Sequence, residues 1–504
     1  MYLSKICSAA FLGIEALPVD VEIDVQKAKD KTQFTLVGLP DLAVKESKDR
    51  VLAALRNSSF LNQDYAITVN LAPGNLKKEG PLYDLPIALG VLSSLSLVPP
   101  CDDLLIAGEL GLGGELRGVR GALAIVLLAK KLKKKAVLLP FDNALEAQDV
   151  PGISIMGAKS LHHAVELLKN PRSMSLRSLD TQTQVGPSVG EIDFADIKGQ
   201  LYAKRAMEIA AAGQHNILLS GPPGSGKTML AKAVCGILPS MNVTESMEVS
   251  QIYSVAGLLK KGLLKKRAFR APHHTISYAG LVGGGAHPRP GEISLAHNGV
   301  LFLDELPEFS RSVLEVLRQP LEDGKVLISR ANANLSFPCR FMCVAAMNPC
   351  PCGYLGHPKK ACRDTQTQVQ RYRSKISGPL LDRMDMKIDV AALSYKELCS
   401  KKEQESSREV FERVSRARKR QYQKNGCLNS ALRPKEIRKS CRMGSSAALL
   451  MQRAVDTENF SARAFDRSLI VAQTIADLHE KEIIGEEELL EALTYRHWDA
   501  KHLR

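Results

Sequence analysis

Apolar and acidic residues alternate through Val19-Asp-Val-Glu-Ile-Asp-Val25, the two-residue period of a strand with one buried face. Phe34–Val37 and Ala66–Leu71 predict further strands, whereas Val44–Asn57 and Leu85–Leu95 carry apolar residues at helical spacing. Strands alternating with helices predict an α/β domain over residues 1–170. Asn170–Gly190 is rich in Ser, Thr, Gln and Pro without apolar periodicity, so residues 171–190 read as a linker. Beyond it, short and wholly apolar runs at Ile217–Leu219, Val300–Leu303 and Phe341–Met347 predict strands buried on both faces, as in a parallel sheet. Helices are predicted at Leu201–Ala212 and Met229–Val234, giving a second α/β unit over 191–392. From residue 393 the pattern is helical: Tyr395–Gln423, Ala447–Val455, Ser468–Leu478 and Glu486–Thr494 predict a C-terminal helical domain over 393–504.

The turn between the 217–219 run and its helix is Gly221-Pro222-Pro223-Gly224-Ser225-Gly226-Lys227-Thr228. It satisfies G-x-x-x-x-G-K-[ST] in strand–turn–helix context, which makes it a phosphate loop. Its glycines let successive N–H groups and a helix N-terminus face phosphate oxygens. Lys227 is expected on the β/γ-phosphates of ATP, and the Thr228 hydroxyl on Mg²⁺. The apolar run at 300–303 ends in Asp304-Glu305, where α/β sheets bind ligands. Asp304 is positioned to hold Mg²⁺, and Glu305 to orient and deprotonate an attacking water.

Composition narrows the classes. The 504 residues allow two to four domains, and 45% hydrophobic content suits soluble globular ones. A formal charge of +14 fits either a polyanionic partner such as DNA or ordinary solubility charge. Lys130–Lys135 is a basic run that reads as a solvated helix end or a phosphate-backbone contact. The longest apolar run, Ile87–Val98, is interrupted by serines and is too short to span a bilayer. With no signal-like start and 11 cysteines, an odd number, the expected setting is cytoplasmic with reduced thiols and no membrane partner. Cys350, Cys352 and Cys362, with His357 or Asp364, supply four tetrahedral ligands for a structural Zn²⁺. Their spacing is not a common zinc pattern, and a reduced, partly buried cysteine loop is the alternative.

Three stretches, GLPDLAVKESKDRVLAAL from Gly38, NLAPGNLKKEGPLYDLPIALG from Asn70 and GELGLGGELRGVRGAL from Gly108, resemble the amino-terminal domain of the ComM/YifB group of magnesium-chelatase-like ATPases. That domain is related in fold to the Lon protease domain. Lon-type peptidases use a serine and a lysine; Leu82 stands at the nucleophile's turn here and Leu123 near the lysine's place, with Lys130 and Lys131 too far along. The resemblance implies a non-proteolytic front domain, an AAA+ core and a helical lid.

Within the AAA+ pattern, Ile197 is expected to wall the adenine, and Asn348 to position the lytic water as sensor 1. Arg383, in Ser377-Gly-Pro-Leu-Leu-Asp-Arg-Met-Asp385, is expected to act as an arginine finger on the neighbouring subunit, with an ion pair to Asp382 or Asp385 as the alternative. Arg463 is expected to reach the γ-phosphate in cis as sensor 2. Arg270–Gly285, continued by His287–Glu292, and the Gly324–Phe337 hairpin match the pore-facing inserts of the magnesium-chelatase and MCM-like branch. His273 and His274 lack further ligands nearby, which argues against zinc there. The resemblance implies a hexameric, ATP-driven DNA motor, a branch-migration helicase of recombination or natural transformation. A metal-chelatase ATPase subunit and a non-hydrolytic scaffold are the rival classes.

Overall fold

The computed structural model describes residues 3–170, 192–285, 289–330, 333–399, 404–458 and 460–496. They fall into two compact units, one within Met1–Thr183 plus Val243–Leu264, the other within Gln184–Asn242 plus Lys265–Arg504. The expected linker at 171–190 lies outside the described residues.

The first unit is built on a seven-stranded mixed sheet. Its strand order is Gln33–Val37, Tyr65–Ala72, Glu15–Lys27, Ser4–Leu12, Leu104–Ile106, Ala136–Pro140, Ser154–Ala158. Ser4–Leu12 and Glu15–Lys27 form an antiparallel hairpin, and the 104–158 strands add in parallel. The alternation read at 19–25 is real: Val19, Val21, Ile23 and Val25 are buried while the acidic residues between them are not. Helix Leu42–Asn57 starts at Asp41, whose carboxylate accepts from Val44 N at 2.8 Å. Helix Asp84–Ser94 is buried at every position, so its 87–94 apolar run is core rather than a membrane segment. Asp84, wholly inside, takes two hydrogen bonds from Arg50 at 2.7 and 3.1 Å. Leu82 and Leu123 are buried apolar core, and Lys130 Nζ donates to Pro151 O at 2.8 Å.

Residues 243–264, which the sequence places in the 191–392 unit, pack instead with the first. Helix Val243–Ala256 satisfies polar groups there: Gly121 N and Leu123 N donate to Ser254, and Gln251 Nε2 donates to Ile14 O at 2.8 Å. Gly262 N and Leu263 N donate to Leu145 O and Asp149 Oδ2, and Leu259 joins the apolar core.

The second unit has a five-stranded, wholly parallel sheet in the order Phe269–Arg270, Val300–Leu303, Met342–Met347, Ile217–Ser220, Met386–Asp389. Residues 217–220, 300–303 and 342–347 are all buried, as their apolar character, interrupted only by Ser220, requires. A buried polar knot fixes strand Ile217–Ser220. Asn216 N donates to Asp385 Oδ2 at 2.9 Å, Asn216 Oδ1 accepts from Cys343 N at 3.0 Å, and Asn216 O accepts from Asp385 N and Met386 N. Asn216 thus holds the strands on both sides in register with its own.

Helices Leu201–Gly213, Lys227–Ile237, Ser407–Asn425, Ala462–Leu478 and Glu486–Thr494 share one apolar core with this sheet. The single helix expected at Tyr395–Gln423 is two: Tyr395–Leu398, then Ser407–Asn425. The break reflects local capping, because Ser406 accepts from Glu409 N while Glu409 accepts from Ser406 N. Three of the basic residues of that helix have partners on other elements. Arg413 bonds Glu208 and Glu405, Arg418 donates twice to Ala211 O, and Arg420 donates to Glu480 O. The Lys325–Arg330 and Ala333–Pro338 strands form the expected hairpin, from Lys325↔Pro338 to Arg330↔Ala333. Among the described residues no helix is long and apolar enough to cross a membrane.

Candidate active site

The five parallel strands bring their carboxyl ends together, and three of those ends carry the chemistry. Strand Ile217–Ser220 opens into Gly221–Gly226, with Gly224 at φ +76° and Gly226 at φ +90°. These left-handed angles suit glycine, and a Cβ at either position would meet no atom within 4 Å. That side of the loop is open. Gly221 has the opposite reason to be glycine: a Cβ there would sit 2.3 Å from Val390 O. Helix Lys227–Ile237 begins with no side-chain cap, which leaves its first N–H groups available to an anion.

Lys227 is 9% exposed, and its ammonium donates to Gly221 O at 2.6 Å, Pro222 O at 3.0 Å and Asn348 Oδ1 at 3.2 Å. Burial lowers its pKa, partly opposed by the charge of Asp304. Three neutral oxygens therefore stand where charged ligand oxygens would satisfy it better. Thr228 Oγ1 donates to Asp304 Oδ2 at 3.0 Å. This pair of hard oxygen donors fits Mg²⁺. Asn348, at the end of strand Met342–Met347, is the residue that joins the phosphate loop to the neighbouring strand.

Glu305 occupies the left-handed region at φ +51°, an uncommon angle for a side chain with a Cβ. Its Oε2 lies 3.2 Å from His274 Nδ1. His274 in turn packs on His273, with ring centroids 4.1 Å apart, and meets Phe309 edge-on at 6.4 Å. Nothing local in the sequence marks this histidine's place beside Glu305, which lies 31 positions further on, past helices Tyr278–Val282 and Glu292–Leu295 and strand Val300–Leu303. The insert bearing His274 is also tied by Arg270, which bonds Glu292 twice at 2.6 Å.

The two arginines expected at phosphate lie elsewhere within the described residues. Arg383 Nε donates to Arg318 O at 2.9 Å, Nη1 to Pro379 O at 2.8 Å, and Nη2 to Glu322. Arg463 pairs with the same Glu322 carboxylate. Burial pushes Glu322 up, but the two guanidiniums outweigh it and hold the carboxyl below its ordinary range. The pair considered for Arg383 with Asp385 is not formed, since Asp385 takes Arg467 at 2.9 Å instead. Neither arginine bonds Lys227, Thr228, Asp304 or Asn348. Ile197 is buried in the core of the unit, and the nearby Gln200 side chain bridges Ser225 O and Ala391 O at 3.1 and 2.7 Å.

Directly after Asn348, Cys350, Cys352, Cys362 and Asp364 converge, with candidate ligand atoms all within 4.8 Å of one another. The set is compatible with Zn²⁺. His357, the alternative fourth ligand, is turned to the backbone, its Nδ1 accepting from Lys359 N and Lys360 N at 3.0 and 3.1 Å.

Comparison with known proteins agrees with this architecture. Residues 193–398 match the family described as magnesium chelatase, subunit ChlI; 21–143 match subunit ChlI of Mg-chelatase; 404–496 match its C-terminal family. Competence protein ComM of Haemophilus influenzae is 43% identical over 502 residues, 98% of each chain. A protein named YifB from Escherichia coli is 40% identical over 501 residues, 98% of this chain and 97% of its own. Lon protease 2 of Bacillus subtilis is 25% identical over 169 residues, 30% of each chain.

Proposed function

This chain belongs to the ComM/YifB family of magnesium-chelatase-like AAA+ proteins, and from that premise we propose that it is an ATP-driven DNA motor. The observation that carries the reading is the meeting of Lys227, Thr228, Asp304 and Asn348 at the carboxyl ends of one parallel sheet, beside an open glycine loop. In this reading Gly221–Gly226 cradles the phosphates of ATP through its N–H groups, and Lys227 exchanges its carbonyl partners for β/γ-phosphate oxygens. Thr228 and Asp304 hold Mg²⁺, which when bound neutralises charge on the phosphates. Glu305 takes the proton of the attacking water, and Asn348 orients that water. Ile197 borders the adenine.

Arg383 completes the pocket of a neighbouring subunit, which makes the working form a ring, a hexamer by family pattern. The Glu322 carboxylate shared by Arg383 and Arg463 supports assigning both arginines to the same neighbour, in place of a cis role for Arg463. The net charge of +14 and the pore-type inserts support DNA as the polymer moved. The relative named as a competence protein supports a role in natural transformation, within which we place branch migration as the motor's task. The chelatase description of the matched families supports a second reading, an ATPase subunit for metal insertion; the Lon-like front unit counts against it.

The test is ATP turnover by the purified chain without DNA and with single-stranded, duplex and four-way-junction DNA. The motor reading expects turnover that DNA stimulates, most strongly by the branched substrate. Turnover indifferent to every DNA refutes the DNA motor, and no turnover at all refutes the ATPase.

A further inference from the structure

Three thiols and a carboxylate converge in the loop that follows Asn348. Cys350 Sγ lies 3.4 Å from Cys352 Sγ and 3.6 Å from Cys362 Sγ, and Cys352 Sγ lies 3.6 Å from Cys362 Sγ. Asp364 Oδ2 lies 3.7 Å from Cys362 Sγ. In a tetrahedral zinc site with Zn–S of about 2.3 Å, sulfurs stand about 3.8 Å apart, so the triangle is already close to the size of a ligand set. A disulfide would instead draw one pair of sulfurs to about 2 Å and leave the third aside.

The surroundings are those of a ligand set too. Leu355 N donates to Cys350 Sγ at 3.3 Å and Cys352 N donates to Asp364 Oδ2 at 2.8 Å, contacts that orient a thiolate and a carboxylate. Gly353, at φ +81°, turns the chain tightly between Cys352 and Tyr354, and its N donates to Cys350 O at 3.0 Å. Arg373 donates through Nε and Nη2 to Pro349 O at 3.2 Å, bringing positive charge beside a cluster that would carry net negative charge when metallated.

We propose that Cys350, Cys352, Cys362 and Asp364 bind one Zn²⁺, and that this ion clamps the end of the Asn348 strand against the phosphate loop. Binding forms three Zn–S bonds and one Zn–O bond and releases the three thiol protons to solvent; no redox change occurs. The clamp follows from place. Cys350 is two residues beyond Asn348, and a Cβ on Gly353 would lie 2.6 Å from Pro223 Cδ, so this loop packs directly on Gly221–Thr228. The metal assignment stands on the ligand set alone, whereas the clamp's effect on nucleotide rests on the ATPase reading above.

The first test is the metal content of full-length protein purified under reducing conditions without chelator. One zinc per chain is expected, falling to background in Cys350→Ser/Cys362→Ser. Should that variant fail to fold, the parent chain gives the answer by alkylation: the three cysteines should resist modification until a chelator is added. Cobalt(II) added to stripped protein should give the visible bands of tetrahedral thiolate coordination. No zinc in the parent, free alkylation without chelator, or no cobalt spectrum overturns the site. Chelator should also raise amide exchange at 349–364 and at 221–226; a rise confined to 349–364 overturns the clamp. None of these readouts needs ATP turnover, so they fail or succeed independently of the motor.

Discussion

Replacing Arg467 by methionine tests the buried knot that holds the phosphate-loop strand in place. Asp385 is 1% exposed, and its charge is met by Arg467 at 2.9 Å, His215 Nδ1 at 3.7 Å and Asn216 N at 2.9 Å. Burial pushes this carboxyl up, but Arg467 and His215 prevail and bring its pKa down to about 2. Against an ordinary value near 4, that depression corresponds to about 2–3 kcal/mol of stability. A depressed carboxylate contributes fully above its unfolded pKa, so this stability is present at pH 7 and is lost as pH falls from about 4 through about 2.

Arg467→Met keeps the length of the side chain and removes the charge. It leaves a buried carboxylate without its main partner, which costs about 3–5 kcal/mol; the lower end applies because Arg467 itself is 17% exposed. Asp385→Asn in the same chain keeps an oxygen for Asn216 N and removes the stranded charge, so the double variant should regain at least half of the loss. The assay is urea unfolding between pH 3 and pH 8, with exchange at 217–220 and 386–389 reporting the second unit. A single variant within about 0.5 kcal/mol of the parent at pH 7, or a double variant no better than the single one, refutes the reasoning.

Three further outcomes follow from the site. Glu305→Gln should keep nucleotide affinity and slow hydrolysis by roughly 10²- to 10⁴-fold, measured by ATP binding and turnover in parallel; a parent-like rate removes Glu305 as the base. His274→Ala frees Glu305 from its partner at 3.2 Å, and turnover should change while nucleotide affinity does not; a change in affinity alone places His274 elsewhere in the cycle. Arg383→Ala and Lys227→Ala should each be inactive alone yet regain turnover when mixed, since one supplies the finger and the other the sound pocket; Arg463→Ala should complement in the same way. An Arg463→Ala chain that never complements Lys227→Ala acts on its own nucleotide.

The parts of the site that were legible in the sequence are those whose chemistry is contiguous. Phosphate is bound by successive N–H groups, so Gly221–Thr228 has to appear as a run, and a strand buried on both faces has to be apolar throughout, which flags Asp304, Glu305 and Asn348 at its end. Glu322 was not legible. It gathers Arg383 and Arg463 from 61 and 141 residues away, and nothing local marks an exposed helical glutamate as their meeting point. Nor does anything near His274 mark its carboxylate partner, because Glu305 follows strand Val300–Leu303, 31 positions further along the chain. Charge and length make 395–423 read as one helix, although Ser-x-x-Glu at 406–409 is a helix start signal.

Residues 243–264 give the chain an awkward anatomy for anyone who wishes to cut it. They lie within the second unit's stretch of sequence and fold with the first, so the polypeptide passes between the units three times rather than once. A fragment beginning at residue 184 would carry helix Val243–Ala256 and its following turn away from the core that buries Leu259 and packs Tyr253, Leu263 and Leu264. That fragment would be sticky, and its aggregation would be mistaken for a failure of the ATPase to fold. Joining Asn242 to Lys265 through a short glycine-serine bridge is the cleaner dissection. It also severs the five-residue tether, 238–242, by which the phosphate-loop helix is tied to the front of the protein.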